Sequence, residues 1–225
     1  MQFKRISCLL LYFLTMLFGL TNIAMAKVVP IYQGDTINIL NNLNKKARED
    51  RISGNKIGDI VVWTALQLLN KQYAYSLLDK KTPEYLLITL DQTDCMLFVE
   101  EVLATSELIK SETLNSKNLA AITNVLRYHG KNSYCSRNNY FKDWALSNIK
   151  KDFVTDVAYN LTKINYPYNA DVLSTVIKNS PNNIHKDSLQ CIIDREYYIN
   201  QKPLGFIPMA LLNKNLKFIK NGDII

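Results

Sequence analysis

The sequence predicts an α+β fold in which helices dominate and the β-sheet at the C-terminal end is incomplete. Three observations predict it. Stretches with apolar residues three and four positions apart recur along the chain. A short apolar run at 84–91, EYLLITLD, is bounded by polar residues and reads as a buried strand leading into a helix. The last ten residues, LKFIKNGDII, place the hairpin turn signal Asn221-Gly222 between LKFI and a three-residue DII, half a hairpin.

Taken in order, residues 36–50 suit a helix with Ile37, Leu40 and Leu43 apolar and charges afterwards. A second helix suits 57–70, with Ile57, Ile60, Val61, Thr64 and Leu68 on one face. The strand of 84–91 follows, then Gln92-Thr93-Asp94, then a helix from about Cys95 to Lys110. Further helical patterns cover 116–128, 138–149, 170–179 and 187–198, and Pro167, Pro181, Pro203 and Pro208 punctuate the loops. No repeat, low-complexity tract or Gly/Ser linker interrupts them, so residues 27–225 read as one domain, large enough to bury a core without disulfide staples.

The first 26 residues have another character. MQFKR is followed by 21 uncharged residues ending in Ala24-Met25-Ala26, the form of a cleavable secretory signal. A retained membrane anchor is the alternative, since the run is nearly long enough to span a bilayer. Cleavage implies periplasm or cell envelope and no stable membrane anchor afterwards. The chain's formal charge of +7 falls to +5 when Lys4 and Arg5 leave with that segment. The charge comes without a block of like residues, which argues against a nucleic-acid partner. It suits mild attraction to an anionic wall polymer, or solubility alone. Oligomeric state is not legible.

Cys8 leaves with the leader, so Cys95, Cys135 and Cys191 remain, an odd number in an oxidising compartment. If Cys135 and Cys191 pair, Cys95 is left over. His129 and His185 are too far apart, and too far from any cysteine pair, to suggest a metal site.

Cys95 stands at the predicted start of a helix, where free backbone N–H groups and the helix dipole favour a thiolate and can bind an oxyanion. Asp94, or Thr93 one residue earlier, suits the N-cap. A small buried hydrophobe is the competing role, because most free cysteines are that.

The segment LLITLDQTDCMLFVEEVLA resembles the nucleophile motif of the bacterial N-acetylmuramoyl-L-alanine amidase-like family, related to NlpC-type cysteine hydrolases with a papain-like core. LLNKQYAYSLLD resembles that family's loop of the form Leu-Gly-x-Pro-Tyr. RYHGKNSYCSRNNYFKDWALSN resembles a segment with Arg-Tyr, Ser-Arg, Tyr-Phe and Asp-Trp at similar intervals, and GFIP and NGDII also find counterparts. The likeness runs from about residue 55 to the end. It implies a papain-like, NlpC-type fold, a peptidoglycan or muropeptide substrate, Cys95 as nucleophile, and no metal or organic cofactor. Tyr73 matches the loop tyrosine, and Arg127, Ser136, Arg137, Tyr140 and Trp144 match the middle segment.

With Asp94 and Tyr73, the resemblance suggests Arg137 as a clamp for a peptide carboxylate and Tyr140 or Trp144 as sugar-stacking rings. Surface ion pairs for the arginines and a core position for Trp144 are the structural alternatives. The chain departs from the family at Asn70 (usually glycine), Gln72 (usually proline) and Asn139 (usually histidine). The family's catalytic histidine follows the Gly-Asp motif, here Gly222-Asp223, so the sequence reads as shortened before its general base and its C-terminal strands. The expectation is an exported cell-wall amidase-like cysteine hydrolase with impaired activity; the alternative is a non-catalytic wall-binding or structural exported protein.

Overall fold

The computed structural model describes residues 29–79, 84–165, 169–180 and 185–224. The expected leader, residues 1–26, lies outside the described residues.

Strand β1 (Pro30–Gln33) pairs in parallel with β3 (Leu86–Thr89), Pro30 opposite Leu86 and Gln33 opposite Thr89. All four β3 residues are buried, which explains why the run shows no polar alternation. A second, shorter parallel pair joins β2 (Gln72–Tyr73) to β4 (Gln92–Thr93), with Tyr73 opposite Thr93.

Helix α1 (Thr36–Glu49) turns Leu40, Leu43 and Ala47 inward, the spacing of one helical face. Helix α2 (Ile57–Gln67) buries Ile60 and Thr64, and Leu68 closes the same face just beyond its end. Helix α3 (Cys95–Lys110) is the centre of the molecule. Its buried residues, among them Leu97, Glu100, Glu101, Val102, Ala104, Thr105, Ser106, Leu108 and Ile109, lie all round its axis. Small side chains at 104–106 let α2 come close enough for the Ser106 hydroxyl to reach Thr64 Oγ1 at 3.0 Å. Helix α4 (Ser116–Arg127) starts where Asn115 accepts the Asn118 N–H, and it packs Leu119, Ala120 and Leu126 onto the same core.

Two buried ion pairs fasten α3. Glu100 receives Arg127 Nε at 2.8 Å, and Arg127 also donates to the Leu87 carbonyl at 2.7 Å, so one guanidinium ties α3, α4 and β3 together. Glu101 pairs with Lys71, at the entrance to β2. Burial pushes the Glu101 carboxyl up to about 8 against the pull of Lys71.

The remaining helices are α5 (Phe141–Lys150), α6 (Val157–Thr162), α7 (Val172–Asn179), α8 (Leu189–Asn200) and α9 (Met209–Asn215). A small apolar cluster of Tyr134, Ile177 and Ile192 joins α7 and α8 to the 3-10 turn Tyr134–Ser136. There the disulfide Cys135–Cys191 crosses 56 residues of chain. Among the described residues no helix is long and apolar enough to cross a membrane.

The expected C-terminal hairpin is not formed. Residues Leu216–Phe218 are a 3-10 continuation of α9, and no described residue after them is in a strand. The Asn221-Gly222 turn does exist, with Asp223 N–H bonded to the Lys220 carbonyl at 3.1 Å and Gly222 at φ +93°. Its role is tertiary. Gly222 packs on Gly58, where an added Cβ would lie 2.0 Å from the Asn221 carbonyl oxygen, and the Asn221 amide donates to Asp59 at 2.9 Å. The turn therefore docks on the start of α2 and folds back no second strand.

Candidate active site around Cys95

Cys95 is the first residue of α3, and its thiol is free and exposed. The helix begins there because Asp94 has extended backbone and its carboxylate Oδ1 accepts the N–H groups of Met96 at 2.9 Å and Leu97 at 2.8 Å. The Asp94 carbonyl takes the Phe98 N–H. Of the four N–H groups a helix leaves open at its start, those of Met96 and Leu97 are thus taken by the Asp94 carboxylate, while the Phe98 bond is the helix's own first backbone bond. The N–H of Cys95 itself lies beside the phenol of Tyr73. It is the helix donor available to an oxyanion formed beside the Cys95 sulfur.

Tyr73 reaches this place because β2 is pinned to β4. The Ala74 N–H bonds to the Thr93 carbonyl at 2.9 Å, and three glutamines run across the strands, Gln33 donating to Gln92 at 2.9 Å and Gln92 to Gln72 at 3.0 Å. Asn70 precedes this strand at φ +64°. Asparagine tolerates that left-handed conformation better than most residues, so the backbone geometry natural to a glycine survives the departure seen in the sequence. The Tyr73 phenol is raised above its usual range, by partial desolvation first and then by the neighbouring Cys95, Asp94 and Tyr75. The Cys95 N–H opposes the shift. Tyr73 therefore stays a neutral hydrogen-bonding group at the sulfur's side.

The other residues suggested by the resemblance lie elsewhere. Arg137 is 5% exposed, and its guanidinium is spent inside the protein on the Leu78 carbonyl at 2.9 Å, Glu84 at 3.2 Å, Asp79 and Asn139. A carboxylate clamp needs a fork open to the ligand, so Arg137 is corrected to a structural hub. Trp144 is 1% exposed within α5, which removes it as a stacking surface. The Tyr140 hydroxyl donates to Glu196 and accepts the Leu173 N–H at 2.8 Å, tying α5 to α7 and α8. Asp94 serves its own helix, so its place in the site is to orient Cys95.

The two histidines have partners of their own. His129 Nε2 lies 3.0 Å from Asp143 Oδ1, and buried His185 stacks on Tyr134 with ring centroids 3.6 Å apart. A cavity of about 590 Å³ lined by Arg48, Arg51, Ser53, Leu108 and Glu112 sits at the opposite end of α3, away from Cys95.

The family model described as AmiA-like, N-acetylmuramoyl-L-alanine amidase-like, matches residues 64–225. The chain belongs to this amidase-like family. Two crystal structures of an N-acetylmuramoyl-L-alanine amidase from Bacteroides uniformis are similar to it, at 24% and 25% identity with TM-scores of 0.65 and 0.64. Each comparison covers 75% of this chain and 72% of the amidase chain. A Legionella pneumophila protein of family DUF1460 shares the fold at 17% identity and a TM-score of 0.50, over 82% of this chain and 71% of its own. A search of curated proteins by sequence finds no match. The matched residues 64–225 include Cys95, Tyr73 and the hub Arg137. Gln33, Tyr75, Glu100 and the pair Glu101–Lys71 were not singled out by their sequence pattern, and Arg127 was matched without its partner Glu100, because these roles depend on which strands and helices meet.

Proposed function

We propose that this amidase-like protein is an exported cysteine hydrolase of peptidoglycan, related to the NlpC-type, papain-like enzymes, in which Cys95 attacks a muropeptide amide. The observation that carries the proposal is the pairing of a free, exposed thiol with an N–H donor at the start of a buried helix. In this reading the Cys95 thiolate forms a C–S bond to the amide carbonyl carbon, and the resulting oxyanion faces the Cys95 N–H and the Tyr73 hydroxyl. Collapse breaks the C–N bond and releases the amine, which takes a proton. Water then cleaves the thioester to a carboxylate and restores the thiol.

The amide between the muramoyl group and alanine is the bond we assign, in keeping with the amidase structures this chain resembles. The reaction needs a base; His129 is engaged by Asp143, and His185 stacks on Tyr134. The resemblance puts the family's histidine beyond Gly222-Asp223. The experiment is alkylation with iodoacetamide under native conditions, followed by peptide mapping and a muropeptide digest. Cys95 should label rapidly without denaturant, and labelling or Cys95→Ser should abolish any release of stem peptide. Release that survives both treatments refutes the nucleophile assignment.

The pairing of His129 with Asp143 favours one second reading, a non-catalytic wall-binding protein. Sedimentation with purified sacculi that is retained by Cys95→Ser, with no fragment released by the wild type, would establish it.

A further inference from the structure

We propose that Tyr75 is the platform on which the sugar ring at the acyl side of the scissile amide stacks, and that Arg137 positions it. The proposal rests on reading Cys95 as the nucleophile of a muropeptide amidase.

Tyr75 is 79% exposed, although it lies two residues from Tyr73 at the reacting centre. Its ring meets the Tyr73 ring edge-on, with centroids 4.9 Å apart and planes at 71°. That contact fixes the orientation of Tyr75 yet leaves a ring face open to solvent. An open aromatic face suits the C–H face of a pyranose, and the phenol hydroxyl keeps the unoccupied ring compatible with water.

The segment that carries Tyr75 is held on both sides. Before it, the Ala74 N–H is bonded to Thr93. After it, Ser76 adopts φ +53° and the Asp79 N–H returns to the Ser76 carbonyl at 3.1 Å, while Leu77 is buried against Leu87 and Leu97. Arg137 closes the turn by donating to the Leu78 carbonyl and pairing with Asp79, and its own place is fixed by Glu84 and by packing over the Tyr134 ring, 4.7 Å from the centroid. The ring is thus presented on a preorganised loop, so stacking loses little conformational entropy. It also gives the buried arginine of the motif a purpose that contact with substrate does not supply. A sugar on Tyr75 lies one aromatic neighbour from Cys95, the arrangement required when the amide is joined directly to the sugar's acyl substituent. Cleavage further down the peptide would place the sugar beyond this platform.

The test uses the full chain carrying Cys95→Ser, so that ligands stay intact. Calorimetric titration would compare a muramoyl-peptide fragment with the sugar-free peptide of the same sequence. Tyr75→Ala should weaken the sugar-bearing fragment about two- to tenfold, the range of one aromatic stacking contact, and leave the peptide unchanged. Tyr75→Phe and Tyr75→Trp, which keep the ring face, should retain affinity, and circular dichroism should show an unchanged melting curve for all three. Arg137→Lys should reproduce part of the Tyr75→Ala loss. Equal binding of the sugar fragment by Tyr75→Ala, an equal loss for both ligands, or a Tyr75→Phe loss as large as that of Tyr75→Ala overturns the proposal while leaving the reading of Cys95 standing. Binding of neither ligand by the Cys95→Ser parent overturns both.

Discussion

Arg127→Met removes the guanidinium that joins three elements of the core, and its cost can be worked from its contacts. Arg127 and Glu100 have side chains 2% and 5% exposed, with Nε and Oε2 2.8 Å apart. Removing one partner of such a buried pair costs about 3–5 kcal/mol. The Leu87 carbonyl, 2.7 Å from Arg127 Nη1, loses its donor as well, a further penalty of about 1–3 kcal/mol if no water replaces it. Against a typical domain stability of roughly 5–15 kcal/mol, a loss near 5 is severe. With a urea slope of about 2 kcal/mol per molar, the unfolding midpoint should fall by about 2.5 M.

The double variant Glu100→Leu/Arg127→Met removes both charges and leaves the carbonyl as the chief unpaired group, so it should be more stable than Arg127→Met alone. The pH dependence has a definite sign. Burial already pushes the Glu100 carboxyl above the usual range, against Arg127, so the native state holds the proton more tightly than the unfolded one. Without Arg127 that imbalance grows. Arg127→Met should therefore come closest to wild type below the ordinary carboxylate range and fall further behind as pH rises above it. Urea melts at pH 4 and pH 7 read both effects. A loss under about 1 kcal/mol at pH 7, or a double variant whose cost equals the sum of the two singles, would refute the reasoning.

Three further outcomes follow from other contacts. Glu101, raised to about 8, takes up a proton on folding between the ordinary carboxylate range and that value, so wild-type stability should decline with rising pH across this window. Glu101→Gln should flatten the decline, and unchanged slopes in urea melts would contradict the assignment. Asp94→Ala loses the acceptor for two helix N–H groups and should cost about 1–2 kcal/mol, most of it restored by Asp94→Asn, in the same melts. Paired replacement of Cys135 and Cys191 by serine opens a link across 56 residues, which chain-entropy reasoning values at about 4 kcal/mol. A thermal melt that does not move would show that the small Tyr134, Ile177 and Ile192 cluster holds α8 unaided.

Local chemistry made much of this protein legible. A run of apolar residues, an N-cap aspartate and a following apolar face were enough to place a helix over Cys95–Lys110 and a strand within 84–91, because capping and periodicity act over a few residues. The cysteine count allowed for the Cys135–Cys191 bond, and the structure forms it. The C-terminal turn misled in one respect. Asn221-Gly222 specifies a reversal of the backbone, but whether two strands flank it depends on partners far away, here Gly58 and Asp59.

The candidate site divides along the same line. Sequence by itself put Asp94 before Cys95, since residue order is all that such a reading needs, and the family resemblance marked Arg137 as an anion clamp. Tertiary structure alone decided that Arg137 is enclosed by Asp79, Glu84 and Leu78, that Trp144 is inside, and that Tyr73 lies beside Cys95 with Tyr75 open next to it. The physical reason is that a side chain's charge and shape are local properties, whereas its exposure and its partners are set by which distant segments fold around it.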